Sequence, residues 1–231
     1  MRKQGRAAAV LLLAVSGLPA AAQDTVWEWW PKVEVYINQG ERARIVFVES
    51  LNADRDAPNT QGNFAYYFDY ALRPLFRREL RRREDVFRRR FLTFRAGYQY
   101  TTSLGEGDYS EHRAIVENTA RYPLPAKVVV LNRLRGEFRF IKGQGYSNRF
   151  RDRLGVERDL RAGRFAFTPY IEDEIFYDTR YDAWSRNRLS LGVQIPAGPH
   201  VVFDPHLVRE VNWRSTPRNV RALALTLNLY F

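Results

Sequence analysis

Few side chains in this sequence are suited to acid–base or metal chemistry. The chain has 231 residues, three histidines (His112, His200 and His206) and no cysteine, which excludes thiol nucleophiles, disulfides and thiolate metal sites. Ser110-Glu111-His112 sets a hydroxyl, a carboxylate and an imidazole in a row. In an extended chain, however, Glu111 points away from the other two, and adjacency in sequence is not the mutual geometry a catalytic triad needs. Asp204 and His206 share a strand face that Glu210 can join, yet a single imidazole makes a poor metal site. His200 follows Pro199 in a turn, and no glycine-rich loop is present to cradle a phosphate. The expectation is a non-enzymatic protein with no metal and no cofactor. The alternative is a lipid-modifying enzyme working through His206 or His112.

The abundant chemistry is ionic. Arg133, Arg135, Glu137 and Arg139 fall on one face of an extended segment whose other face is Leu134, Gly136, Phe138 and Phe140. Arg149, Arg151 and Arg153 alternate with Phe150, Asp152 and Leu154. Thr168, Tyr170, Glu172 and Glu174 alternate with Phe167, Ile171 and Ile175, and Asp173 is out of place on the apolar side. Arg186 and Arg188 alternate with Asn187, Leu189 and Leu191, while Glu111, Arg113 and Glu117 repeat the theme earlier. A guanidinium stays charged and can bind a carboxylate through two parallel bonds. Rows on neighbouring strands would therefore interlock, with Glu172 and Glu174 meeting arginines from both sides. The expected lining of an enclosed interior is Arg133, Arg135, Arg139, Arg149, Arg151, Arg153, Arg186 and Arg188, with Glu137, Glu172 and Glu174 as partners. Such a lining either plugs and stiffens the interior or makes a narrow pore that favours a small anionic solute.

The elements that must position these rows are strands. Period-two alternation dominates and helical periodicity is nearly absent. Candidate strands lie near residues 33–38, 42–51, 63–72, 91–102, 109–122, 127–142, 147–158, 164–177, 183–195, 200–213 and 219–231. Several match the roughly 9–11 residues that cross a bilayer when tilted. Short turns such as Pro123–Ala126, Arg161–Gly163 and Pro196–Pro199 imply antiparallel neighbours. Facing lipid, an arginine would cost ~2–4 kcal/mol at the midplane, so the charged face must point inward. The expected fold is an all-β, antiparallel, up-and-down transmembrane β-barrel. The eleven candidates fall short of the even number usual in single-chain bacterial barrels. Twelve strands are expected, with ten as the alternative, and the missing one is placed at Thr25–Trp30 or within the arginine-rich stretch before Phe91.

Both ends of the chain point to the same place. Arg2, Lys3 and Arg6, the apolar stretch Ala7–Leu18 and Ala20-Ala21-Ala22 read as a signal peptide cleaved after residue 22, leaving residues 23–231 as a single barrel domain. At the other end Leu223, Leu225, Leu227, Leu229 and Phe231 share one strand face, opposite small and polar residues. A terminal aromatic after alternating apolar residues is similar to the signal read by the bacterial barrel-insertion machinery. The 13 Tyr, 15 Phe and 5 Trp suit aromatic girdles at two membrane interfaces. The expected location is the outer membrane of a Gram-negative-type cell, as a monomer. A soluble periplasmic β-protein with a basic binding face is the third reading. Much of the net charge of +11 lies in Arg73–Arg90, nine arginines in 18 residues. Export makes nucleic acid an unsuitable partner; the cluster reads as a solvated turn or strand extension beyond the membrane, with contact to lipid and lipopolysaccharide phosphates as the functional alternative.

Several stretches carry a family resemblance: Asn132-Arg-Leu-Arg-Gly-Glu-Phe-Arg139, Arg149-Phe-Arg-Asp-Arg-Leu154, Thr168-Pro-Tyr-Ile-Glu-Asp-Glu-Ile-Phe-Tyr177, Arg186-Asn-Arg-Leu-Ser-Leu-Gly192 and the terminal Phe231, with Arg95-Ala-Gly-Tyr98 a looser match. By these the chain resembles domain of unknown function 2490, a family of bacterial outer-membrane barrels. The resemblance implies an outer-membrane barrel and carries no reaction, cargo or site residue. Gly145-Tyr-Ser-Asn-Arg149 resembles the serine–asparagine region of outer-membrane phospholipase A, but Gly145 stands where that family has its histidine.

Overall fold

The computed structural model describes residues 25–54, 60–72, 86–105 and 107–231. The segment expected to be a signal peptide and positions 73–85 of the arginine-rich stretch lie outside the described residues. Twelve strands form: β1 (Thr25–Gln39), β2 (Ala43–Asp54), β3 (Thr60–Ala71), β4 (Leu92–Ser103), β5 (Ser110–Leu124), β6 (Val128–Ile141), β7 (Gly145–Arg158), β8 (Leu160–Ala162), β9 (Phe165–Asp178), β10 (Ala183–Pro196), β11 (Val201–Asn212) and β12 (Asn219–Tyr230). Among the described residues the only helical turns are two short 3-10 segments, Val86–Arg89 and Pro125–Lys127.

The sheet closes on itself, and the closure corrects the expected topology. Eleven long strands go round the barrel, while the three-residue β8 pairs only with the start of β9. Consecutive long strands are antiparallel, but β1 and β12 pair in parallel, from Thr25 opposite Asn219 to Tyr36 opposite Tyr230. The reason is counting. After an odd number of up-and-down strands the first and last point the same way, so only a parallel ladder can join them. Thr25–Trp30, expected as a separate strand, is the first half of β1. Pro31 has no N–H to donate, and there the ladder to β2 lapses between Trp29 and Lys32. The barrel thus has two mouths. The amino mouth holds the start of β1; the carboxy mouth holds Phe231, the β1–β2 turn, the end of β3, the Val86–Arg89 turn and the start of β4.

Period two decides which residues point where. On the outside, Phe47, Phe64, Phe68, Phe94, Leu134, Phe138, Phe140, Phe150, Leu154, Leu191, Phe203, Leu207 and Leu223 are all exposed. Inside, Glu111, Glu137, Arg139, Glu174, Asp178 and Thr226 are buried. This polarity is inverted relative to a soluble sandwich. Several charged outward positions break the apolar surface, among them Glu49, Asp152, Asp173, Arg209 and Arg221. Asp152 and Asp173 are exposed on the outer wall, each capped by an asparagine: Asn132 Nδ2 donates to Asp152 at 2.6 Å and Asn187 Nδ2 to Asp173 at 2.9 Å.

The carboxy mouth is filled from within. The 3-10 turn Val86–Arg89 buries Phe87 completely, and the Arg44 guanidinium stacks between its ring, at 4.1 Å, and that of Tyr36, at 4.4 Å. Arg88 extends from the same turn to Glu157 on β7 and Gln194 on β10. Tyr36 and Tyr230 stack face to face at 4.7 Å across the parallel seam, in a small apolar cluster with Val46, Tyr67, Ile115 and Val202.

Candidate functional site

The interior has two unlike walls. The wall of β1–β4, β11 and β12 offers mostly neutral groups, among them Ser50, Asn63, Gln99, Ala224, Thr226 and Asn228. Its ionic centre is Asp69, held between Arg44 at 2.7 Å and Arg95 at 2.6 Å. The wall of β5, β6, β7, β9 and β10 is a continuous ionic network. Alternate residues on strands ~4.8 Å apart project side by side, so one carboxylate can reach guanidiniums from two or three strands.

Glu174 on β9 is the deepest knot. It takes Arg133 at 2.6 Å, Arg151 at 2.7 Å and Arg153 at 3.2 Å. Glu137 on β6 takes Arg135 at 2.9 Å and Arg151 at 2.8 Å, with Arg149 further off at 3.7 Å. Asp178, where β9 ends, takes Arg139 at 2.8 Å, Arg149 at 3.1 Å and Arg180 at 2.8 Å. In the turn beyond, the hydrogen bond to Asp178 pushes the Arg180 guanidinium above its ordinary value. Glu111 holds Arg113 at 2.5 Å and also Arg139. Phe176, almost fully buried, gives Arg151, Arg186 and Arg188 a common aromatic surface, with distances to the ring centre of 4.6, 5.5 and 5.4 Å.

All eleven charged residues expected to line the interior lie inside, but their pairing differs from the sequence reading in two places. Glu172 meets Arg153 alone, at 2.7 Å. Arg186 and Arg188 pass over the β9 glutamates and bind Glu210 on β11, at 3.1 and 2.6 Å. The reason is register: Arg188 lies opposite Glu174 on one side and Glu210 on the other, and Glu174 is already filled from β6 and β7. Sequence reasoning did not find the Arg44–Asp69–Arg95 trio, because its members lie on three strands with no charged row around them. It weighed Glu210 only as a metal ligand.

Between the walls lies a cavity of ≈ 480 Å³. Twelve guanidinium or ammonium groups and six carboxylates line it, because Glu111, Glu137, Glu174, Asp178 and Glu210 are drawn back behind the arginines they hold. His206 is part of this lining; its Nδ1 lies 3.6 Å from Asp204, which accepts a 2.8 Å hydrogen bond from Tyr170. His112 is exposed on the outer wall beside Tyr98. The two histidines therefore share no site, and Glu210 is engaged by arginines rather than by His206. Leu223, Leu225, Leu227 and Leu229 lie on the outer face of β12, and the Phe231 backbone is paired to Tyr36 and Asn38 of β1.

No curated protein matches this chain. Residues 70–221, from the end of β3 to the start of β12, match the family described as protein of unknown function (DUF2490). That span covers well over half of the sequence and includes the whole ionic wall, so the chain belongs to the DUF2490 family.

Proposed function

We propose that this β-barrel resides in an outer membrane as a non-enzymatic monomer whose interior favours small anions, as a narrow pore or as a closed, stiffened channel. The observation that carries the membrane reading is the inverted polarity: thirty-three large apolar or aromatic side chains are exposed among the described residues, while the interlocked rows of arginines and carboxylates are inside. A water-soluble protein rarely shows contiguous apolar patches beyond a few hundred Å², whereas a bilayer demands such a surface. The two-to-one excess of cations over carboxylates in the cavity lining supports the preference for anions, since a ring of fixed charge repels its own sign. On this reading the first 22 residues are the export signal. Lipid and lipopolysaccharide surround the wall, and Leu223, Leu225, Leu227, Leu229 and Phe231 form the signal for the assembly machinery.

Single-channel recording of the refolded chain in a planar bilayer tests the pore. Discrete steps with anion preference are expected; a folded barrel that inserts silently removes conduction and leaves the closed form. Release of folded protein by osmotic shock without detergent would overturn the membrane reading altogether.

A further inference from the structure

We propose that the amino-mouth half of the interior binds one small dianionic oxyanion, of the phosphate or sulfate class, between Arg113, Arg149 and Arg186. The proposal rests on the anion-favouring reading above and names the ligand. These three arginines come from β5, β7 and β10, near the amino-mouth ends of their strands, and all three line the same ≈ 480 Å³ cavity.

Carboxylates in this half are too few for the guanidiniums they serve. Asp178 is divided among three arginines and Glu210 between two. Glu111 is shared by Arg113 and Arg139. Glu137 reaches Arg149 only at 3.7 Å, an ionic contact too long for a hydrogen bond. Arg149 also lies within coulombic reach of Arg113, Arg139 and Arg186. Among the described residues, Arg113 and Arg149 each keep a buried Nε–H with no hydrogen-bond partner, a sign of how many guanidiniums share few carboxylates here. Crowded like charges are costly in an enclosed space, and an added anion relieves that cost.

Guanidinium geometry selects the kind of anion. Its planar fork donates two parallel bonds to two oxygens of one group. Forks from three strands match a tetrahedral oxyanion, which offers oxygens in several directions; chloride has no paired acceptors. The cavity is larger than one phosphate, so a phosphomonoester fits the same place with its substituent towards the neutral wall. Phe87 and Arg88 fill the carboxy mouth, which leaves the amino mouth as the entrance.

The test is calorimetric titration of the detergent-folded chain with sodium phosphate, sodium sulfate and sodium chloride at matched ionic strength. Saturable one-to-one binding of phosphate and sulfate is expected, with none of chloride. Arg113→Gln with Arg186→Gln should weaken phosphate at least tenfold, while Arg209→Gln with Arg221→Gln, on the outer face, should not. Phosphate no different from chloride, or a folded interior variant with unchanged affinity, overturns the site. If the interior variant does not fold, the wild-type comparison of phosphate with chloride decides alone. A barrel silent in bilayers that binds phosphate keeps the site and removes the pore. An anion-selective barrel indifferent to phosphate does the opposite.

Discussion

Arg151 on β7 and Glu174 on β9 are joined by two bonds, Nη2–H to Oε2 at 2.7 Å and Nε–H to Oε1 at 3.1 Å, while Nη1–H of the same arginine reaches Glu137 at 2.8 Å. Arg151 therefore ties β6, β7 and β9 together through one buried group. Removing one partner of such a pair leaves an uncompensated charge. Glu174→Gln should destabilise the barrel by about 3–5 kcal/mol, read as a fall in the urea midpoint. Glu172→Gln, a half-buried group with one partner, should cost about 1 kcal/mol or less. Equal costs would show that the knot at Glu174 is not formed.

The same two glutamates bear on selectivity. Changing both to Gln removes two negative charges while the arginines around them stay. In a conducting barrel the reversal potential under a salt gradient should move further towards the anion limit. An unmoved reversal potential would mean that ions do not pass this wall.

Gly97 on β4 is required by its neighbours. A methyl group there would sit 2.2 Å from the Tyr66 carbonyl oxygen and 2.6 Å from the Tyr67 ring, and a backbone atom cannot step aside. Gly97→Ala should destabilise by about 1–3 kcal/mol or more. Gly136→Ala meets nothing nearer than 3.4 Å and should be near neutral. Chemical unfolding of the two variants side by side distinguishes them.

Asp152 and Asp173 offer a check on the bilayer itself. If lipid covers the outer wall, Asp152→Leu and Asp173→Leu should each raise stability by about 1–2 kcal/mol in liposomes, because a charged group facing lipid is penalised. A protein whose outer wall faces water would instead become aggregation-prone with the same changes. Lipid-bilayer unfolding and solubility without detergent give opposite answers for the two cases.

Arg88 links the 3-10 turn to Glu157 and Gln194. Arg88→Ala should loosen the filled carboxy mouth and raise conductance or its open probability. Unchanged recordings would show that the turn does not obstruct the path.

What was readable from the sequence is what depends on neighbours two residues apart. Arg133, Arg135 and Arg139 opposite Leu134, Phe138 and Phe140 needed only the pleat, and each of the eleven candidate segments corresponds to a long strand. What depends on distant positions was not readable. The parallel closure joins residues almost two hundred positions apart, and no local pattern marks it; the expectation of an even count pointed the other way. Arg188 choosing Glu210 over Glu174 was set by register on both sides of β10 and by occupancy. The inward Phe87 belongs to a segment whose arginines drew attention to charge rather than to its single buried ring.

The parallel ladder between β1 and β12 has a consequence for how this sheet is made. Until the last strand arrives, β1 keeps a free edge, and an unpaired edge invites pairing with other chains. The partner that ends this exposure, β12, is the last of the described strands in chain order. The seam also places Thr25 and Phe231 at opposite ends of the cylinder. If the barrel spans a membrane as proposed, a reporter fused ahead of β1 and another after β12 would stand in different compartments, a signature that a barrel with an even number of strands cannot give.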